Sequence, residues 1–110
     1  MLVHVQCQLT GSRYLVDTVT TFSLILHKSS EPKVRQPSLI GPGGQPIRCW
    51  GEERLQLQFS GRLFMWTFLK AVVTFPILGV DFLRANRLSV SVATNQLVND
   101  CTGNTLRLID

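Results

Sequence analysis

Hydrophobic and polar residues alternate along much of the chain, with the period of two that is typical of a strand with one buried face. The alternation is clearest in residues 2–9, 54–59 and 88–92. We predict that 54–59 pairs in antiparallel fashion with 63–72, because Ser60-Gly61 between them can turn the chain. Further short strands are expected at 14–16, 22–26, 97–98 and 106–109. The pattern predicts an all-β fold.

Two segments rich in turn-forming residues interrupt this pattern. Residues 28–38 combine serine, charge and two prolines, so we expect an exposed loop there. Residues 41–46 form a cluster of glycine and proline between the apolar pair 39–40 and Ile47. This spacing suggests a hairpin with a flexible tip.

A single helix is expected near the end of the chain. Ile77, Leu78 and Gly79 close an apolar strand, and Asp81 follows as a plausible N-cap. We therefore predict a short helix over about 81–86.

Size and composition favour one folded domain spanning residues 1–110. The 110 residues are 45% hydrophobic and only 16% charged, which argues against disorder. The net charge of +4 is spread along the chain, without a basic stripe interleaved with aromatic residues. We therefore expect no nucleic-acid partner.

The cysteines and the apolar segments bear on where the protein works. Three cysteines, Cys7, Cys49 and Cys101, leave one unpaired in any disulfide scheme, which favours a reducing intracellular setting such as the cytoplasm. Residues 1–9 lack the basic start of a signal peptide. The apolar run 64–73 falls short of the roughly 20 residues that span a bilayer, so we expect no membrane partner.

The strongest chemical candidate is Asp17, which stands where the apolar strand Tyr14-Leu15-Val16 breaks. Two hydroxyl residues, Thr18 and Thr20, lie beside it. Taken alone, this motif is more typical of a turn former or a cap than of a catalyst. We expect no catalytic or metal role for His4 and His27, and packing at the base of a hairpin for Cys49. Trp66 and Phe68 are expected to be core or dimer-facing aromatic residues.

The order of the motifs makes the assignment more specific. Residues 14–18 resemble the active-site strand of retropepsins, especially those of Ty3/gypsy-type LTR retroelements. Residues 76–83, with Ile77, Leu78 and Gly79, resemble the second signature of that family. The resemblance runs from about Val3 to Val98. It implies a retropepsin-like acid-protease barrel, with a flap hairpin over about 38–52 and one short helix.

The resemblance implies an aspartic endopeptidase that acts in polyprotein processing. One chain holds one Asp-Thr signature, so two copies of Asp17 would meet across a homodimer axis and share a proton. Thr18 would bond across that axis, and Thr20 would donate to the outer oxygen of Asp17. The flap would close over an extended peptide substrate through residues Ile40, Gly41, Gly43, Gly44 and Ile47. No metal or cofactor is required.

Val19 departs from the family pattern, which has glycine after Asp-Thr. A positive φ at this position would strain a β-branched residue, and even an allowed φ would place its methyl groups beside the carboxylates. The alternative function is therefore a catalytically inactive dimerisation or binding module. A third hypothesis is a monomeric β-barrel that binds a ligand in an internal cavity. We expect 106–109 to form an interface strand in preference to pairing within its own sheet.

Overall fold

The computed structural model describes residues 3–27, 39–40, 46–47 and 49–109. These residues are mostly strands with one short helix, as the alternating pattern predicted. In chain order the elements are β1 (His4–Gln6), β2 (Arg13–Val16), β3 (Leu24–Leu26), β4 (Leu39–Ile40), β5 (Pro46–Ile47), β6 (Cys49–Phe59), β7 (Arg62–Ala71), β8 (Ile77–Leu78), α1 (Val80–Ala85), β9 (Leu88–Ser91), β10 (Gln96–Asn99) and β11 (Thr105–Arg107). The predicted loop at 28–38 lies outside the described residues.

The strands form three sheets. The largest has the order β1-β2-β8-β3-β7-β6, a smaller sheet has the order β11-β10-β9, and β4 pairs with β5 alone. Strands β2 and β8 run parallel, with Leu15 opposite Ile77 and Val16 opposite Leu78. Because parallel strands end at the same edge, this register places the residues that follow Val16 beside those that follow Leu78.

The long hairpin of β6 and β7 follows the prediction from its alternating residues. Its turn uses Ser60 and Gly61, with φ values of 50° and 77°. Two positive φ values are characteristic of the tight turns whose twist matches that of the flanking strands. Strand β6 begins at Cys49, earlier than the pattern suggested, and its register with β7 shifts between Cys49 and Glu52. Residues 49–52, assigned to the flap from sequence, are therefore part of this long strand.

An aromatic cluster forms the centre of the core. Phe59, Phe68 and Phe82 are fully buried, and Phe82 makes edge-to-face contact with Trp66 at a ring-centroid distance of 5.5 Å. Full burial of a large apolar side chain contributes roughly 1.5–3 kcal/mol, and an edge-to-face pair about 0.5–1.5 kcal/mol more. The predicted packing role of Trp66 and Phe68 is confirmed. This cluster fixes α1 against β6 and β7.

Helix α1 begins one residue before the predicted position, and its N-cap is Gly79 instead of Asp81. The capping prediction was wrong because Asp81 lies inside the first turn, where its Oδ1 accepts from the N–H of Phe82 at 2.7 Å, and the two N–H groups before that one bond elsewhere. Val80 donates to the carbonyl of Thr20 at 2.8 Å, and Asp81 donates to that of Thr21 at 3.0 Å. These two backbone carbonyls accept the hydrogen bonds that a capping side chain would otherwise accept. No helix in the described residues is long and apolar enough to cross a membrane.

The C-terminal segment pairs within its own chain, and β11 is an edge strand of its sheet, so a contact of 106–109 with a second copy stays a prediction. Strand β11 pairs with β10, with Leu106 opposite Leu97. Ile109 and His4 then exchange two backbone hydrogen bonds of 2.7 and 2.8 Å. Leu106 and Leu108 are buried. Burial of these alternate side chains holds the segment against its own domain.

Candidate active site around Asp17

Asp17 directly follows β2 and extends its pairing with β8. Its backbone N–H donates to the carbonyl of Leu78 at 3.0 Å. Its side chain is half-buried, whereas Val16 before it is buried and Thr18 after it is exposed. The chain therefore leaves the core at the point where it presents the carboxylate.

Three donors hold the Asp17 carboxylate. Oδ1 accepts from the backbone N–H of Val19 at 2.9 Å and from that of Thr20 at 3.1 Å. Oδ2 accepts from the Thr20 hydroxyl at 2.7 Å, the hydrogen bond expected from the sequence. An ionised carboxylate is purely an acceptor, so this arrangement suits its charged form.

The electrostatics of Asp17 follow from that geometry. Partial burial raises the pKa of Asp17. The hydrogen bonds from the Thr20 hydroxyl and from two backbone N–H groups together lower it by more than burial raises it, so the pKa lies below its ordinary value. In the isolated chain Asp17 is therefore ionised at neutral pH. The loop is built to stabilise a carboxylate anion.

Val19 occupies its position in the loop without backbone strain. Among the non-glycine residues that the structure describes, positive φ occurs only at Ser60, Arg87 and Asn95. The strain considered from the sequence is therefore absent. The Val19 side chain is 71% exposed, so it projects from the loop instead of packing inside the domain.

The second signature is fitted closely against this loop. Ile77 and Leu78 form β8, and Gly79 has an ordinary φ of −93°. A Cβ atom at Gly79 would lie 2.7 Å from the backbone carbonyls of both Phe22 and Thr20. The glycine is required here by close approach of two backbones. Gly79 therefore sets how near helix α1 comes to the Asp17 loop.

A buried polar network behind the loop was missed by sequence analysis. The Ser23 hydroxyl, which is fully buried, donates to Oδ1 of Asp81 at 2.7 Å and accepts from the N–H of Gly79 at 2.9 Å. The indole N–H of Trp66 donates to Oδ2 of Asp81 at 3.2 Å. A serine between apolar neighbours and a tryptophan in a core strand both require polar partners, which was the available signal.

The flap residues are only partly described. Ile40 lies in β4 and Ile47 in β5, and these strands pair with Leu39 opposite Ile47. The predicted tip residues Gly41, Gly43 and Gly44 lie outside the described residues. The structure thus contains the antiparallel strand pair on the two sides of the glycine-rich segment.

Comparison with known proteins identifies the architecture. No family model and no curated protein matches the sequence. Among solved structures, the retroviral protease-like domain of Ddi1 from Leishmania major superposes with a TM-score of 0.68 and 15% identity, covering 100% of this chain and 94% of that domain. EIAV protease in complex with the inhibitor HBY-793 gives a TM-score of 0.53 and 22% identity, covering 77% of this chain and 84% of the protease. The chain therefore has the retropepsin-like fold of the retroviral proteases, an all-β domain whose described residues include one short helix.

Proposed function

We propose that this chain is one protomer of a homodimeric aspartic endopeptidase. The observation that carries the proposal is the Asp17 carboxylate, held by three hydrogen-bond donors at the end of β2. The same fold is found in EIAV protease, which binds an inhibitor. One carboxylate is half of the group that acid-type peptide hydrolysis requires, so the second comes from Asp17 of the partner copy.

The two carboxylates share one proton. Like charges about 3 Å apart do not both ionise readily, so the pair titrates as a unit with two separated apparent pKa values. The ionised member takes a proton from water as the water attacks the peptide carbonyl. The protonated member donates to the carbonyl oxygen, giving a tetrahedral intermediate. The carboxyl that took the proton from water then gives it to the amide nitrogen, so that the C–N bond breaks and the amine leaves. This chemistry uses no metal or cofactor.

Thr18 and the flap complete the proposed assembly. Thr18 is exposed beside Asp17, where its hydroxyl is available to the facing loop of the second copy. The hairpin of β4 and β5 covers an extended peptide and adds backbone hydrogen bonds to it, in the manner of strand addition. A peptide segment of a polyprotein is the proposed substrate.

The origin we propose is a Ty3/gypsy-type retroelement. The support is the sequence pattern of residues 14–18 and 76–83, which resembles that group of proteases. The chain has three cysteines, an odd number that does not suit a complete disulfide framework. Such a cysteine content fits a reducing compartment, so we place the protein in the cytoplasm.

The second candidate function is a dimerisation or binding module without activity. The observation in its favour is the Val19 side chain, 71% exposed beside the carboxylate. Such a module forms the same dimer but cleaves no peptide at any pH. The difference between the two functions is therefore catalytic and not structural.

A cleavage assay on a peptide library from about pH 4 to about pH 7 tests the proposal. We expect the wild type to cleave at the acidic end, Asp17→Asn to lose about 1,000-fold or more, and Val19→Gly to cleave more peptides than the wild type. Asp100→Asn removes an exposed carboxylate and serves as the matched control, with unchanged activity. Cleavage that survives in Asp17→Asn, or no cleavage by wild type and Val19→Gly alike, contradicts the proposal.

A further inference from the structure

We infer that Val19 determines the substrate specificity of the Asp17 site. In the dimer, one Val19 stands on each side of the bond to be cut, and the pair restricts the two flanking substrate residues to glycine and alanine. The inference rests on the proposed function. On this inference, the valine that replaces the family's glycine selects the peptide substrate and does not abolish activity.

The position of Val19 relative to the reacting group is the first support. Its backbone nitrogen lies 2.9 Å from Oδ1 of Asp17. Its Cα is about 1.5 Å from that nitrogen, so the side chain begins within a few ångströms of the carboxylate. A molecule that reaches the carboxylate from the exposed side of the loop meets this side chain.

The exposure and stiffness of Val19 are the second support. The side chain is 71% exposed, so no neighbour among the described residues holds it away from the open side of the loop. A β-branched side chain has few rotamers and does not swing aside easily. The valine methyl groups therefore occupy volume that a glycine would leave open to substrate.

The geometry of the reaction explains why the volume filled by the Val19 side chains would select among substrates. The attacking water lies on the carboxylates, and its oxygen must come within about 3–3.5 Å of the peptide carbonyl. The two residues joined by that carbonyl must consequently lie close to the loops of both protomers. A glycine or alanine leaves room for the two Val19 side chains, whereas a leucine or phenylalanine competes with them for the same space.

The expected size of the preference for small flanking residues follows from the effect that steric selection usually has on kcat/KM. One methylene group in a closed apolar pocket changes kcat/KM by roughly 10- to 200-fold. Replacing a pair of glycines with a pair of leucines adds several such carbon groups, more than the single methylene group to which this range applies. We therefore expect a preference of at least about 10-fold for small flanking residues.

The test uses peptides that share one sequence and differ only in the two flanking residues, which are both glycine, alanine, leucine or phenylalanine. The wild type should cleave the small pairs at least about 10-fold faster, and Val19→Gly should raise cleavage of the large pairs until that preference is lost. Val19→Thr keeps the branched shape and should keep the preference. An equal preference in wild type and Val19→Gly overturns the inference.

Binding separates this inference from the proposed function. The same peptides with a reduced, uncleavable bond are titrated by calorimetry against wild type and Val19→Gly. If no variant cleaves any peptide, the proposed function fails, and the binding order alone decides the inference. Tighter binding of the small pairs by the wild type, lost in Val19→Gly, supports it. Equal binding of small and large pairs, or none, contradicts it.

Discussion

At the scale of single residues, the Asp17 loop balances two opposite effects on one carboxylate. Three hydrogen bonds to Asp17 lower its pKa in the isolated chain. A second carboxylate in the dimer would raise one apparent pKa of the pair. A carboxylate has about four acceptor positions, so three donors leave roughly one for the shared proton or the water. The loop thus orients the carboxylate while leaving it able to react.

Substitution of Thr20 by valine should raise the pKa of Asp17 towards its ordinary value, because the Oδ2 partner is lost. The stability that comes from ionised Asp17 is present above the unfolded pKa of about 3.9 and is lost as the pH falls through the lower folded pKa. That contribution should be smaller in Thr20→Val. A carbon-detected NMR titration of Asp17 in the monomeric chain measures the shift, and Thr20→Ser, which keeps the hydroxyl, should resemble the wild type. A pKa in Thr20→Val equal to or below that of the wild type would sink this explanation.

Val19 is recognisable from the sequence as the departure from the Asp-Thr-Gly pattern, but its backbone conformation is not. The φ angle there depends on how the loop of Thr20 to Phe22 meets Gly79, a contact between segments almost sixty positions apart in sequence. The Asp17 to Thr20 hydrogen bond was predictable because both partners lie in one tight turn. Local chemistry was therefore predictable, whereas the strain-free placement of Val19 was not.

At the scale of elements, the second signature and the Asp17 loop form one unit. The first N–H groups of α1 bond to the carbonyls of Thr20 and Thr21, and Asp81 links the helix to Ser23 in front of β3 and to Trp66 in β7. The sequence rule that favours aspartate as an N-cap led to the wrong assignment. A carboxylate that serves two side chains on other elements cannot be recognised from its neighbours in sequence.

Asp81→Asn should destabilise the domain by about 1–3 kcal/mol. The asparagine side chain has an NH₂ group in place of one carboxylate oxygen, so one of the groups that now donates to Asp81 would face another donor. Both Asp81 oxygens accept hydrogen bonds, from Ser23 and Trp66. Urea unfolding followed by Trp fluorescence gives the free energy of unfolding. The control is Asp100→Asn, an exposed carboxylate that accepts from Ser89, with an expected change within about 0.5 kcal/mol. Equal effects of the two substitutions would show that the network carries no stability.

At the scale of the whole molecule, the parallel pair of β2 and β8 brings together motifs about sixty residues apart in sequence. Alternation along 54–59 and 63–72 was enough to predict the β6 and β7 hairpin, because its partners are adjacent in sequence. The intrachain pairing of the C-terminal segment was not the preferred prediction, because its partners, β10 and His4, include one from the far end of the chain. The site itself, with one Asp17 per chain, is half of the catalytic group we propose.

Mixing of protomers tests that central claim most directly. Asp17→Asn chains are added in tenfold excess to a fixed amount of wild type, and cleavage is measured after the protomers exchange. Mixed dimers hold one carboxylate and one amide, so cleavage should fall by about tenfold as wild-type pairs are diluted. The same excess of Asp100→Asn chains should instead increase cleavage, because their dimers are active. If Asp17→Asn chains leave the rate unchanged, each chain acts without the Asp17 of a partner, and the account of a shared active site is contradicted.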